Sequence, residues 1–448
     1  MILLGGSTLF AQALPPAASS ASSDSTSDGV LVLTLRQAID LALENNTQVQ
    51  LTREEIDAAR ARSHQALSAL LPNVSGSASQ MNVTANLKAQ GLDFSRVPLL
   101  SSFNPFIGPF NTFDARAYLQ QTLFNFAAIR QYQAARAGNQ LSTLEAERAR
   151  RDTIATIAAL YYGVLQASAH IEATQSNIRL NQSLLGLAEH QKEAGTGTAV
   201  DVARAKVQLA QQQQRLLSDQ VAYEDAKLRL LKAMGKEVST EVKLVDAMTL
   251  HDVPALTVTE ALAQAENDRV ELKSQEEREH VARLQLSATK AERLPSVGFA
   301  ANYGSSGLTP DNSALPTRSY GVAASIPIFD GGRREGRIAE QSVRVRQEAI
   351  RSEDVKQQVE VEVRLALKTI ESARQQVRVS EENLSLAETE LELSRDRFQE
   401  GVTNNIEVVN AQTSLEQARD RKVDALFLFN LARVNLDRAL GQVERIYQ

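Results

Sequence analysis

The sequence predicts a mainly α-helical protein with a small β part, a tandem-repeat chain that forms one protomer of a ring. Three observations carry this reading. The first is a heptad seam. Val359, Val363, Ala366, Ile370, Ala373, Val377, Ser380, Leu384, Ala387, Leu391, Ser394 and Phe398 follow steps of four and three, and all but the two serines are apolar. Such a run predicts a long helix packed along a partner. The second is another stripe at steps of seven, Leu365, Ser372, Val379, Leu386 and Leu393. It lies roughly 130° around the same helix, at about 100° per residue. Two stripes fit a helix with neighbours on both flanks, and equally one broad core-facing surface of a bundle helix. The third observation is a duplication: the order of elements recurs at constant offsets.

The first repeat spans 30–235. Leu33-Thr34-Leu35 before Ala38, Ile39, Leu41 and Ala42 reads as a helix start with Thr34 as N-cap. Helical composition runs to Leu71, where Pro72 stops it. Residues 73–87 are expected as a strand. The prolines and glycines of 88–111 predict a long loop. In 112–123, Phe113, Ala115, Ala117, Leu119 and Leu123 alternate with polar residues, which predicts a strand with one apolar face. Proline is then absent until Pro254. Residues 126–193 read as one helix, roughly 100 Å long at about 1.5 Å per residue. Gly195 to Thr198 form a tip, and a second helix runs to Met234 with Gly235 as its C-terminal stop. A hairpin is thus expected over 126–234.

Residues 236–255 read as an inter-repeat segment and 256–441 as the second repeat. Leu256-Thr257-Val258 and Leu294-Pro295 repeat Leu33-Thr34-Leu35 and Leu71-Pro72 at an offset of 223. Gly401 and Gly441 repeat Gly195 and Gly235 at an offset of 206. The second strand pair is expected at 296–303 and 319–328, the second hairpin at 337–440, and a tail at 442–448. Two ungapped offsets over tens of residues mark a true repeat.

The 448 residues include no cysteine, which excludes disulfides and thiolate sites, and net charge is −6 with both signs mixed. No basic block points to nucleic acid. No run of about 18 apolar residues follows the N-terminus, so no transmembrane helix is expected, although a β-barrel wall leaves only a weak signal. Met1 to Ala13 end in Ala11-Gln12-Ala13 and read as the remnant of a signal peptide lacking its positive start. Residues 14–29 read as a flexible leader.

Four strands with one apolar face cannot close a barrel alone, and their bare edges do not suit lipid. Two seams on a helix ask for neighbours that one hairpin lacks. A ring of copies answers both needs. Three copies bring about twelve strands, a reasonable outer-membrane barrel, with the long helices leading away from it.

Leu-Thr-Leu before Ala38-Ile39, Leu71-Pro72 and Leu294-Pro295 before the strand pairs, and Pro327-Ile328-Phe329-Asp330-Gly331-Gly332 form one motif set. The most specific piece is Phe398-Gln399-Glu400-Gly401 followed by Ile406-Glu407-Val408-Val409-Asn410-Ala411-Gln412. With these motifs the layout resembles the TolC-like outer-membrane factor family over about residues 30 to 442. The resemblance implies a trimeric channel-tunnel, a 12-stranded outer-membrane β-barrel continuous with an α-helical barrel in the periplasm of a Gram-negative-type bacterium. It implies an exit duct for an inner-membrane efflux pump or ABC transporter, with a periplasmic adaptor docking at the hairpin tips, here Gly195, Thr196, Gly401 and Val402. In the family, acids after the second tip glycine narrow the tunnel mouth. Glu407 matches the first of these and Asn410 replaces the second; Asp201 is kept, and Phe398 stands where one member has tyrosine. Asp201 and Glu407 read equally as first-turn acids stabilised by a helix N-terminus.

The five histidines, His64, His170, His190, His251 and His280, are scattered without metal-ligand spacing and read as structural or solvated. No catalytic set, metal site or cofactor site is expected. Two alternatives stand beside the duct. A periplasmic adaptor-type coiled-coil protein should carry one hairpin between Gly-rich β domains. A soluble coiled-coil scaffold explains the heptads but not the repeated strand pairs.

Overall fold

The computed structural model describes residues 26–27, 30–91, 104–251, 256–311, 313–400, 402–403 and 405–447. The expected signal remnant lies outside them, as do most of the leader and the middle of the loop at 88–111. The elements in order are β1 (Thr26–Ser27), β2 (Val30–Leu33), α1 (Leu35–Asn45), α2 (Thr47–Ser68), β3 (Asn73–Asn86) and β4 (Phe106–Phe124). Next come α3 (Phe126–Glu193), α4 (Ala199–Ala233), β5 (Glu241–Leu244), α5 (Val258–Asp268) and α6 (Val270–Ala291). The last are β6 (Ser296–Gly307), β7 (Leu315–Ser325), α7 (Arg333–Gln399) and α8 (Asn405–Ala439).

Thr34 caps α1 in a reciprocal box with Gln37, and Thr257 does the same for α5 with Glu260. The opening helix is not continuous to Leu71, however. Asn46 breaks it, because its side chain accepts from Gln48 N at 2.8 Å and Val49 N at 3.3 Å and so starts α2 afresh. The loop expected at 88–111 is shorter: Lys88–Gln90 form a 3-10 turn and β4 already begins at Phe106, with a bulge opposite Val83 and Ala85 that accommodates Pro109. β6 extends to Gly307, and β7 runs from 315 to 325 instead of 319 to 328. α7 starts at Arg333, four residues before the expected 337, behind Gly332 at φ +84°. The segment between the repeats contains β5, which pairs in parallel with β2. The expected tail is a 3-10 turn at Val443–Tyr447 whose Val443 and Ile446 are buried.

The duplication is visible in two matched seats. Gly235 (φ +68°) and Gly441 (φ +75°) follow α4 and α8. A Cβ on Gly235 would lie 2.3 Å from Asn45 O, and one on Gly441 2.8 Å from the carbonyl carbon of Asp268. Asn45 and Asp268 are themselves 223 apart, so each hairpin ends against the close of its own repeat's first helix. Gly235→Ala is expected to lose at least about 2 kcal/mol, from left-handed backbone plus the collision. Gly186→Ala, in open space within α3, should gain up to about 1 kcal/mol. Denaturant unfolding of the solubilised protein separates the two.

Three tiers each have four elements, the first repeat's pair beside the second's. The sheet runs β3-β4-β6-β7. Beside it the helices pack α2-α3-α6-α7, and in the hairpin region α4-α3-α8-α7. Along the seam of α7, eleven of the twelve predicted positions are buried and Leu384 is half-buried. The second stripe is bare, with Leu365, Val379, Leu386 and Leu393 between 59% and 65% exposed. At the opposite flank α4 shows its own bare heptad stripe, Val200, Val207, Val221 and Leu228.

The strand register gives the sheet two unlike faces. Val74, Ala78, Ala115, Ala117, Leu119, Phe299, Ala301, Tyr303, Tyr320 and Val322 share one; Ser75, Ser77, Asp114, Arg116, Gln120, Asn302 and Ser319 share the other. By length and composition alone, one stretch of α3 would be able to cross a membrane. Its deeply buried side chains Ile154, Ile157, Tyr161 and Val164 instead fill the main core beside Ile39, Leu230 and Leu231.

Candidate functional site at the hairpin tips

The two tips are built by capping. At the first, Gly195 at φ +79° turns the chain, and the N–H groups of Thr196 and Gly197 donate to Gln191 O at 3.0 and 2.9 Å. Thr198 then caps α4. The Asp201 carboxylate closes this cap, accepting from Thr198 N at 3.0 Å and Thr198 Oγ1 at 2.6 Å. The Thr198 hydroxyl above all holds Asp201 below the usual carboxylate range. Asp201 is therefore a first-turn acid whose carboxylate is turned back into its own cap.

At the second tip, Val402 N donates to Arg397 O at 2.9 Å. Glu407 accepts from the Thr403 hydroxyl and lies 3.2 Å from Arg397 Nη1. Its charge is thus offset within its own hairpin. Asn410 is exposed one turn further along. Phe398 is buried against Leu391, Val408 and Ala411. Gly195, Thr196 and Val402 are all exposed; Gly401 lies outside the described residues.

Hydrogen bonds join the tips. Gln191 Nε2 donates to Phe398 O at 3.1 Å, and Asn405 Nδ2 donates to Asp201 O at 3.2 Å. The fold therefore brings Asp201 and Phe398 into one linked cluster through Gln191 and Asn405. Neither linking residue was anticipated, since each acts across about 200 residues on a backbone carbonyl.

Away from the tips, the joint between the hairpins becomes polar. Glu416, buried on α8, accepts from Asn181 of α3 at 3.3 Å, Gln212 of α4 at 2.8 Å and Gln412 at 3.1 Å. Arg419 donates to Asn177 Oδ1 at 2.6 Å, and Arg215 of α4 reaches Asp420 at 2.8 Å. The seam inside the α7–α8 hairpin is instead apolar over Val359 to Val377. The polar joint had one legible signal, the pairs Asn177/Asn181 and Gln412/Glu416 at i, i+4. Among the described residues, no group of three or more His, Asp or Glu is placed to hold a metal ion.

The outer membrane efflux protein family model matches residues 38–236 and 261–442, one match for each repeat. The chain belongs to this family. The alkaline protease secretion protein AprF of Pseudomonas aeruginosa is 26% identical over 404 residues, covering 87% of this chain and 81% of AprF. A membrane protein from Pseudomonas aeruginosa superimposes with a TM-score of 0.79 at 21% identity, over 91% of this chain and 93% of that one. The CmeC outer membrane channel of Campylobacter jejuni gives a TM-score of 0.79 at 17% identity, over 91% and 86% of the two chains. As an outer membrane efflux protein, the chain is a channel-tunnel protomer and an outer-membrane exit duct. The adaptor-type alternative and the soluble scaffold are thereby set aside.

Proposed function

We propose that three copies of this chain close into a ring that forms the exit duct of a tripartite efflux or type I secretion system. The observation that carries this is the shared order of the tiers. In each, the flanking elements are left bare: β3 and β7, α2 and α7, α4 and α7. One rotation can then join β7 to the next β3 while the Leu365–Leu393 stripe of α7 meets the Val200–Leu228 stripe of the next α4. Three copies give about twelve strands, with the apolar face toward lipid and the Asp114–Arg116 face toward the lumen. A heat-resistant trimer in the outer-membrane fraction is the expected form; a water-soluble single copy overturns the reading.

The helices reach toward the inner membrane, where an efflux pump or ABC transporter loads the duct. A periplasmic adaptor would dock on the tips at Gly195, Thr196, Gly401 and Val402, whose described members are exposed. Asp201, Phe398, Glu407 and Asn410 would line the mouth. Because Arg397 pairs with Glu407, the two make opposite predictions. Glu407→Ala should weaken cation block of single-channel current, and Arg397→Ala should strengthen it. Each effect is up to about fivefold, equivalent to ~1 kcal/mol for an exposed pair. Unchanged block in both variants removes Glu407 from the mouth.

A further inference from the structure

The polar joint holds one imidazole whose two ring nitrogens both face carboxylates. His170 of α3 lies 3.1 Å through Nε2 from Asp424 Oδ1 and 3.6 Å through Nδ1 from Asp420 Oδ1, both on α8. The His170 and Asp420 side chains are 19% and 18% exposed. Neither His170 Nδ1 nor Asp420 Oδ1 has a hydrogen-bond partner among the described residues. The other helix against α3 here, α4, presents Arg215, 2.8 Å from Asp420 Oδ2, and Asp219, which accepts from the Thr174 hydroxyl at 2.6 Å. Gln166 donates to Asp424 at 2.7 Å, and Arg419 of α8 is taken by Asn177.

A neutral imidazole has one N–H, and its other nitrogen is a lone pair. In this setting that lone pair would point at a carboxylate whichever tautomer formed. Only the imidazolium offers a donor to both aspartates.

We propose that His170 is a pH-sensitive clasp between the two hairpins, closed when protonated and released when neutral, so that the tips part more readily as pH rises. The link to the tips rests on the duct reading; the clasp itself rests on α3 and α8 belonging to different hairpins. Once His170 is neutral, Arg215 still pairs with Asp420, while Asp424, half exposed, turns to water. The clasp therefore releases without leaving a buried charge alone.

The Asp420 carboxylate beside Nδ1, and then Asp424 at Nε2, hold the imidazole above its ordinary value of 6.5, against burial. A group raised on folding stabilises fully below its ordinary value and loses that contribution as pH climbs through the raised one. Asp420 is shifted the other way: burial alone would raise it, but His170 and Arg215 hold it below its ordinary value, so it stays ionised throughout this range. The joint is therefore tight in mild acid and loosens as pH climbs through the raised value.

Single-channel recording of the full-length protein in planar bilayers, from about pH 5.5 to 8.5, reads the clasp directly. Conductance of the wild type should step upward with pH. His170→Gln should lose the step, and His170→Arg, charged throughout, should stay at the low level. A flat wild-type profile, or a step retained in His170→Gln, overturns the clasp. A second readout needs no current: the wild-type advantage in unfolding temperature over His170→Gln should shrink from pH 6 to pH 8. A constant advantage overturns the clasp even if the chain conducts; absence of any channel, with a shrinking advantage, overturns the duct reading alone.

Discussion

Replacing Val379 and Leu386 together by aspartate is expected to leave a folded protomer and abolish the trimer. Within one copy both side chains are bare, at 65% and 63% exposure, so the protomer does not depend on them. In the ring each would face the α4 stripe of the next copy, and two unpaired carboxylates would be buried at every junction. The effective cost is several kcal/mol per ion, repeated around the ring. Light scattering should report a single copy with its helical content unchanged. The matched control is Val377→Asp, two positions away but fully buried in the seam, which should unfold the protomer itself. An intact trimer in the double variant would place the interface elsewhere.

Arg269→Ala should cost about 3–5 kcal/mol, the loss seen when one partner of a buried ion pair is removed. Arg269 occupies the break between α5 and α6 and is 4% exposed. Its Nη1 and Nη2 each lie 2.8 Å from Glu362 Oε2 on α7, its Nε 3.0 Å from Glu271, and Nη1 also donates to Ala439 O of α8 at 3.3 Å. One guanidinium thus fastens three helices. Burial alone would raise Glu362, but the hydrogen bonds from Gln358 and Arg269 hold it below the usual carboxylate range. Its contribution is therefore present above the ordinary glutamate value and fades as pH falls through the lowered one. The penalty of Arg269→Ala should accordingly shrink in acid. Denaturant unfolding at neutral pH and near pH 4 tests both parts; a pH-independent penalty would mean that lost packing, not charge, dominates.

Features written in local chemistry were legible beforehand. The bounds of α3, the burial of the α7 seam and the Thr34 cap each depend on residues within a few turns. The repeat offsets were equally plain, and the structure returns them as the Gly235 and Gly441 seats. Features that depend on distant partners were not. β5 has four residues and no periodicity of its own; it is a strand because β2 lies beside it about 210 residues earlier. The early start of β4 reflects its pairing with β3, which overrides a proline and a glycine. At the tips, the Thr198–Asp201 cap joins residues three positions apart and could be read. The bonds from Gln191 and Asn405 end on carbonyls, which carry no sequence signature. His170 was read as structural or solvated because its carboxylates lie on α8, some 250 positions away.

Val443 and Ile446 lie in the same cluster as Leu33, Ile39 and Val242. A ribosome must therefore have read past codon 446 before the cluster nearest the start of the chain is complete. The first repeat's core is therefore finished only by the last residues to be synthesised. For a protein that must be threaded through one bilayer before it is installed in another, late closure keeps the polypeptide in a transportable state.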